Sequence, residues 1–132
     1  MISTKGRYAL RVMIDLAEHE NDGYIPLKAI AARQEISKKY LEIIVKEMVK
    51  GGLIIGISGK GGDYKLCRKP DEYSVGEILT LMEGTLAPVA CLAESAPECP
   101  REAFCKTLPL WREFDCLVRD FFYGKKLSDL CN

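Results

Sequence analysis

Cys91, Cys99 and Cys105 crowd into residues 91–105, in the spacing Cys-x7-Cys-x5-Cys. Thiolates are ligands for zinc and for iron–sulfur clusters, and a flexible loop can fold around either. Three ligands fall one short of the usual four, so the fourth must come from elsewhere. Reduced, inert cysteines are the alternative, because free cysteine often serves as a small buried hydrophobe. The flanking sequence is polar and holds Pro97 and Pro100, unlike a core. Of the other three thiols, Cys67 and Cys131 read as bystanders, and Cys116 as an exposed thiol or a minor candidate for the fourth ligand. Cys116 is expected on the polar face of a helix with Arg112, Glu113, Arg119 and Asp120, Cys67 closes a hairpin, and Cys131 lies at the terminus. His19, the one histidine, is expected at the surface.

A second set of residues suits a polyanion. Ser37, Lys38, Lys39 and Tyr40 stand at the start of a predicted helix. In a helix-turn-helix, the N-terminal end of the second helix faces base edges in the major groove. Lysine can pair phosphate or guanine there, while serine and tyrosine can donate to phosphate. Lys28, on the preceding helix, joins this set, and Lys60, set among glycines, suits a close approach to a backbone or minor groove. A merely solvated helix face would carry the same lysines. Formal net charge is +0, yet residues 1–70 hold 13 Lys+Arg against 8 Asp+Glu, and residues 71–132 hold 6 against 11. Only the first half can sit easily on a polyanion.

These side chains need elements to position them. Ala9, Val12, Met13, Leu16 and Ala17 predict a helix over 7–20, closed by Asn21-Asp22-Gly23. Pro26 and Leu27 open a short second helix ending near Gln34. After the tight Glu35-Ile36 turn, Ser37 caps a third helix with Leu41, Ile44, Val45 and Met48 on its buried face, stopped by Gly51-Gly52. Leu53–Ile57 and Tyr64–Leu66 read as a hairpin around Gly59-Lys60-Gly61-Gly62. Ser74 and Glu77 form a capping box for a fourth helix. Residues 85–106 lack periodicity, and a loop that long in a small domain is usually functional or disordered.

From Leu108 to Tyr123 the helical pattern returns. Leu110, Trp111, Phe114, Leu117, Val118 and Phe121 make a stripe too wide for one small core to cover, so a second copy of the helix in a homodimer is expected. The fold class is therefore mainly α with a small β-hairpin wing. It comprises a winged helix-turn-helix domain over 1–84, a cysteine-bearing loop over 85–106, and a dimerisation helix with C-terminal tail over 107–132.

Other function classes fit poorly. The chain has 132 residues and 14.8 kDa, enough for one core with a docked appendage. No apolar run approaches the roughly 18 residues of a membrane span. Lys5, Arg7, Arg11, Asp15 and Glu18 leave no apolar signal core, so the cytoplasm is the expected compartment, where reducing conditions favour metal or redox chemistry over disulfides. An enzyme is not expected. There is no Cys-x-x-Cys pair and no phosphate-cradling loop opening a helix, and the one histidine lies far from any candidate nucleophile.

Several short runs together resemble the Rrf family of bacterial winged-helix regulators. They are Ser3-Thr4-Lys5-Gly6-Arg7-Tyr8-Ala9, Tyr40-Leu41-Glu42, Gly59-Lys60-Gly61-Gly62-Asp63-Tyr64 and Val75-Gly76-Glu77-Ile78. The three cysteines followed by Thr107 and Leu110-Trp111-Arg112 look like the cluster-binding segment of the family's iron–sulfur branch, which includes the IscR and NsrR types. The resemblance implies a homodimeric transcription regulator that binds an operator in double-stranded DNA. Its DNA binding would depend on an iron–sulfur cluster, [2Fe–2S] by preference, held by Cys91, Cys99 and Cys105. It further implies Ser37, Lys38, Lys39, Tyr40 and Glu42 at the major groove, with Glu42 discriminating between DNA sites, and Ser3, Thr4 and Lys5 at phosphates. The IscR type has a histidine three residues after the last cysteine, where this chain has Leu108. The NsrR type has a carboxylate where this chain has Arg7. The fourth ligand is therefore open. The competing expectation keeps the fold but makes the thiols a zinc site or a cluster-free switch.

Overall fold

The computed structural model describes residues 2–57 and 62–132. Helix α1 (Thr4–Glu18) begins earlier than its apolar stripe predicts, because the Ser3 hydroxyl caps it by accepting the Gly6 amide at 3.4 Å. A two-residue strand β1 (Ile25–Pro26) leads into α2 (Leu27–Gln34). Glu35 then turns the chain in a left-handed conformation, φ 53°, and Ser37 caps α3 (Lys38–Lys50) by accepting the Tyr40 amide at 3.1 Å. This is the predicted helix–turn–helix.

Strands β2 (Ile54–Ile57) and β3 (Asp63–Leu66) pair antiparallel, with Ile54 opposite Leu66 and Ile57 opposite Asp63. The sheet has a third member that the sequence did not signal. Strand β1 pairs the other edge of β3, Ile25 opposite Tyr64, giving the order β1-β3-β2. Two residues are too few to show an alternating pattern.

Helix α4 (Val75–Glu83) starts at the predicted capping box of Ser74 and Glu77. It is the wall between two cores. Ile78 and Met82 face the first, with Val12, Met13, Leu16, Ile30, Leu41 and Ile44. Val75 and Leu79 face the second, with Leu86 and Val118. Val118 belongs to α5 (Leu108–Tyr123), whose span matches the prediction and which carries Pro109 in its first turn. Helices α4 and α5 approach closely at Gly76, where a Cβ would stand 2.5 Å from Cγ of Tyr123.

Val118 corrects one expectation. The sequence places it on the dimer face, but it is only 8% exposed and packs inside its own chain. Past α5 the chain turns back. The Val75 amide donates to the Lys125 carbonyl at 2.8 Å, the Leu127 amide donates to the Tyr73 carbonyl at 3.0 Å, and Leu127 is fully buried in the first core. Tyr73 is also fully buried. Its hydroxyl donates to the Leu53 carbonyl at 2.7 Å and accepts the Cys67 and Arg68 amides, fastening the wing to α4. Among the described residues no helix is long and apolar enough to cross a membrane.

Candidate functional site

Most of the candidate DNA-binding residues stand in the first turns of α3. Ser37, Lys38, Lys39 and Glu42 are exposed, and Lys28 is exposed on α2. The helix N-terminus adds its partial positive charge to the two lysines, as an anion requires. Tyr40 is half-buried and stacks edge-on with Tyr8 of α1, ring centroids 5.6 Å apart. Glu42, Lys46, Val49, Gly56, Ile57 and Tyr64 line a groove between α3 and the wing strands. Burial first, then the carboxylates of Glu42 and Asp63, push the Tyr64 phenol above its ordinary value. The expectation at Lys60 lies outside the described residues.

The N-terminal candidates have internal partners. Ser3 gives its amide and its hydroxyl to Glu83 Oε1, at 2.9 and 2.7 Å. Thr4 Oγ1 accepts from Arg7 at 3.1 Å, and Lys5 pairs with Glu47 of α3 at 3.0 Å. Ser3 thus ties α1 to the end of α4, and Lys5 ties it to α3.

Sequence reasoning missed a buried polar clamp that sets the pitch of the motif. Asp15, 1% exposed, accepts from Arg33 Nη2 at 2.7 Å and Nε at 3.0 Å, and from Gln34 Nε2 at 3.1 Å. Asp15 in turn holds the Arg33 guanidinium above its ordinary value. Arg11 donates to the Gln34 side chain at 3.2 Å and also to its backbone carbonyl. Helices α1 and α2 are therefore locked before the turn that aims α3. Helical spacing alone puts Asp15 on the polar side of this helix with Arg11 and Glu18, and its burial at 1% exposure corrects that placement. His19 lies half-buried beside this clamp, its Nδ1 2.8 Å from the Asp15 carbonyl.

The cysteine loop spans short turns at Ala90–Leu92 and Glu102–Phe104. Cys91, Cys99 and Cys105 all line one cavity of about 170 Å³, with Glu98, Glu102, Leu108 and Arg112 also in its wall. The cavity brings together thiols up to fourteen positions apart in the sequence. Cys91 is exposed, and Cys99 and Cys105 are half-buried. Sγ of Cys105 lies 3.5 Å from the Thr107 hydroxyl. Hydrogen bonds from the Thr107 side chain and amide and from the Leu108 amide hold its thiol below the ordinary value. Soft sulfur donors around one space suit a thiophilic centre. Among the described residues, no three Cys, His, Asp or Glu side chains stand close enough together to grip a metal ion.

Cys116, Cys67 and Cys131 lie apart from that cavity. Cys131 packs against the first core, where burial pushes its thiol up. The loop itself is tethered to α5. Arg119, held by Asp115 at 3.1 Å, also pairs with Glu94, whose other oxygen accepts from Thr85 Oγ1 at 3.0 Å. On the outer face of α5, Leu110, Phe114, Leu117 and Phe121 remain exposed, by 58, 42, 62 and 58%, and Trp111 is half-buried.

The comparisons with known proteins agree on the kind of protein. The family described as Rrf2, iron-dependent transcriptional regulator, matches residues 2–132. The HTH-type transcriptional regulator IscR of Aliivibrio salmonicida is 35% identical over 129 residues, 98% of this chain and 76% of that protein. The solved structure of CymR, the global cysteine regulator of B. subtilis, is similar with a TM-score of 0.77 and 36% identity. That match covers 98% of this chain and 95% of that one. IscR of T. potens is similar with a TM-score of 0.75 and 31% identity, over 98% of this chain and 85% of that one.

Proposed function

Because the chain belongs to the Rrf2 family of transcriptional regulators, we propose that it works as a homodimer on double-stranded operator DNA and that an iron–sulfur cluster, by preference [2Fe–2S], controls that binding. It is a regulator and not an enzyme. The observation that carries the proposal is the convergence of Cys91, Cys99 and Cys105 on one cavity at the start of α5. The three thiolates would hold the cluster. When bound it would supply a redox-active, oxygen-labile centre.

The chain's own contacts offer a route from that loop to the DNA face. Leu86 and the Glu94–Arg119 pair fasten the loop to the second core and to α5. Helix α4 separates the cores, and Glu83 at its end grips Ser3 of α1. Lys5 then pairs with Glu47 on α3. Ordering the loop would shift the population of arrangements of the two α3 helices in a dimer.

The test is iron and sulfide analysis with a visible spectrum on protein purified without oxygen, then titration of apo and loaded protein with operator DNA. The proposal expects bound iron and sulfide and at least a tenfold difference in DNA affinity. Equal affinity of the two forms across operators refutes the cluster-dependent mechanism. On the DNA side, Lys38→Ala and Lys39→Ala should each weaken binding across sequences and flatten the salt slope by about 1.

A second reading rests on Cys105, whose thiol is held below its ordinary value in a cavity shared with two more thiols. In it the same fold responds to thiol oxidation or zinc without a cluster. Protein free of iron and sulfide whose DNA affinity changes on oxidation, or on zinc removal, would establish this reading instead.

A further inference from the structure

We infer that Glu102 is the oxygen ligand that completes the three-cysteine centre, and that Arg112 aims it. This rests on the cluster reading above and concerns this chain's own residues. Two carboxylates share the cavity wall with the three thiols, Glu98 and Glu102. Their settings differ. Glu102 occupies the turn that joins two of the cysteines, since its amide donates to the Cys99 carbonyl at 3.1 Å and the Cys105 amide donates to its carbonyl at 3.4 Å. When Cys99 and Cys105 close on a metal, Glu102 moves with them.

Its side chain is also oriented. Arg112 Nη2 donates to Oε1 of Glu102 at 3.0 Å, and Arg112 stands on α5 as part of the same cavity wall. The second oxygen, Oε2, makes no hydrogen bond among the described residues, and the Glu102 side chain is half exposed. Glu98 has no side-chain hydrogen bond among the described residues, so nothing holds it in one direction. Held in this way, Glu102 has the orienting partner that metal-ligating carboxylates ordinarily have. Three thiolates and a carboxylate make an anionic donor set, and the Arg112 guanidinium offsets part of that charge inside the wall. Two other candidates are engaged elsewhere: Glu94 by Arg119 and Thr85, and His19 beside Asp15.

The experiment reconstitutes the full-length chain with iron and sulfide and reads the centre by Mössbauer and visible spectroscopy. A two-iron centre with three sulfur ligands and one oxygen ligand has two distinguishable iron sites. Glu102→Cys is expected to merge them into one and to strengthen the thiolate-to-iron absorption. Glu102→Ala should lower retention of the centre against a chelator at least tenfold. Arg112→Gln should lower it less while keeping two iron sites, and Glu98→Gln should leave the spectra unchanged. A loaded centre whose spectra ignore both Glu102 substitutions, or follow Glu98 instead, overturns the assignment and leaves the cluster reading intact. A wild-type chain that takes up no iron and sulfide overturns both.

Discussion

At the scale of single residues, Asp15, the one buried charge among the described residues, serves geometry. Asp15 satisfies Arg33 twice and Gln34 once, and so holds α2 at a set angle to α1. Asp15→Ala removes three charge-assisted hydrogen bonds, but it leaves behind an arginine with access to water. The expected cost is about 1–3 kcal/mol, read from urea unfolding, and DNA affinity should fall further than stability alone explains. Glu94 offers a pH test. Its pairing with Arg119, then backbone and Thr85 hydrogen bonds, lower its carboxyl from 4.5 to about 2. A depressed value means that the tether is present above the ordinary carboxylate range and is lost as pH falls towards 2. Both partners are well exposed, so the stability at stake is under about 1 kcal/mol. The measurement is the titration of the Glu94 carboxyl carbon by NMR. Its midpoint should lie near 2 in wild type and rise in Arg119→Gln.

At the scale of elements, the interface between α4 and α5 depends on what is missing at Gly76. An added Cβ would meet the ring of Tyr123 at 2.5 Å, and that ring also presents its hydroxyl to Thr80 at 2.8 Å. Gly76→Ala brings a helix-propensity gain of about 1 kcal/mol against overpacking of about 1–3 kcal/mol. The expected result is net destabilisation in the wild-type background and a gain in Tyr123→Ala, where the clash is gone. A double-mutant cycle in urea reads this directly. Elements with strong local chemistry were legible in advance. Ser37 capping α3, the Ser74–Glu77 box and the span of α5 follow from caps and 3.6-residue periodicity. Strand β1 was not legible, because two residues contain no period. The early start of α1 was missed because an N-terminal cap precedes the first apolar position.

At the scale of the whole molecule, α5 has two faces with different fates. Val118 closes the second core from inside, while Leu110, Phe114, Leu117 and Phe121 stay exposed. Exposed apolar area of that kind marks an association surface. The double substitution Leu110→Asp and Leu117→Asp should leave the fold intact, since both side chains are more than half exposed. It should turn the proposed dimer into a monomer in sedimentation equilibrium, with DNA affinity lowered at least tenfold through the lost half-site. A variant that stays dimeric places the interface elsewhere.

Local sequence determined much of this protein. Caps, periodicity and glycine stops specify four of its helices nearly residue by residue, and the crowding of Cys91, Cys99 and Cys105 marked the loop before any coordinate did. These signals are legible because they act within a turn or two of chain. Tertiary structure decided the rest. It put three thiols, Glu102 and Arg112 in one wall, sent Leu127 back into the first core, turned Val118 inward, and joined Asp15 to Arg33 across 18 positions. Each of those facts depends on the angle at which separate helices meet. That angle is set by how whole cores fill, which no local pattern encodes.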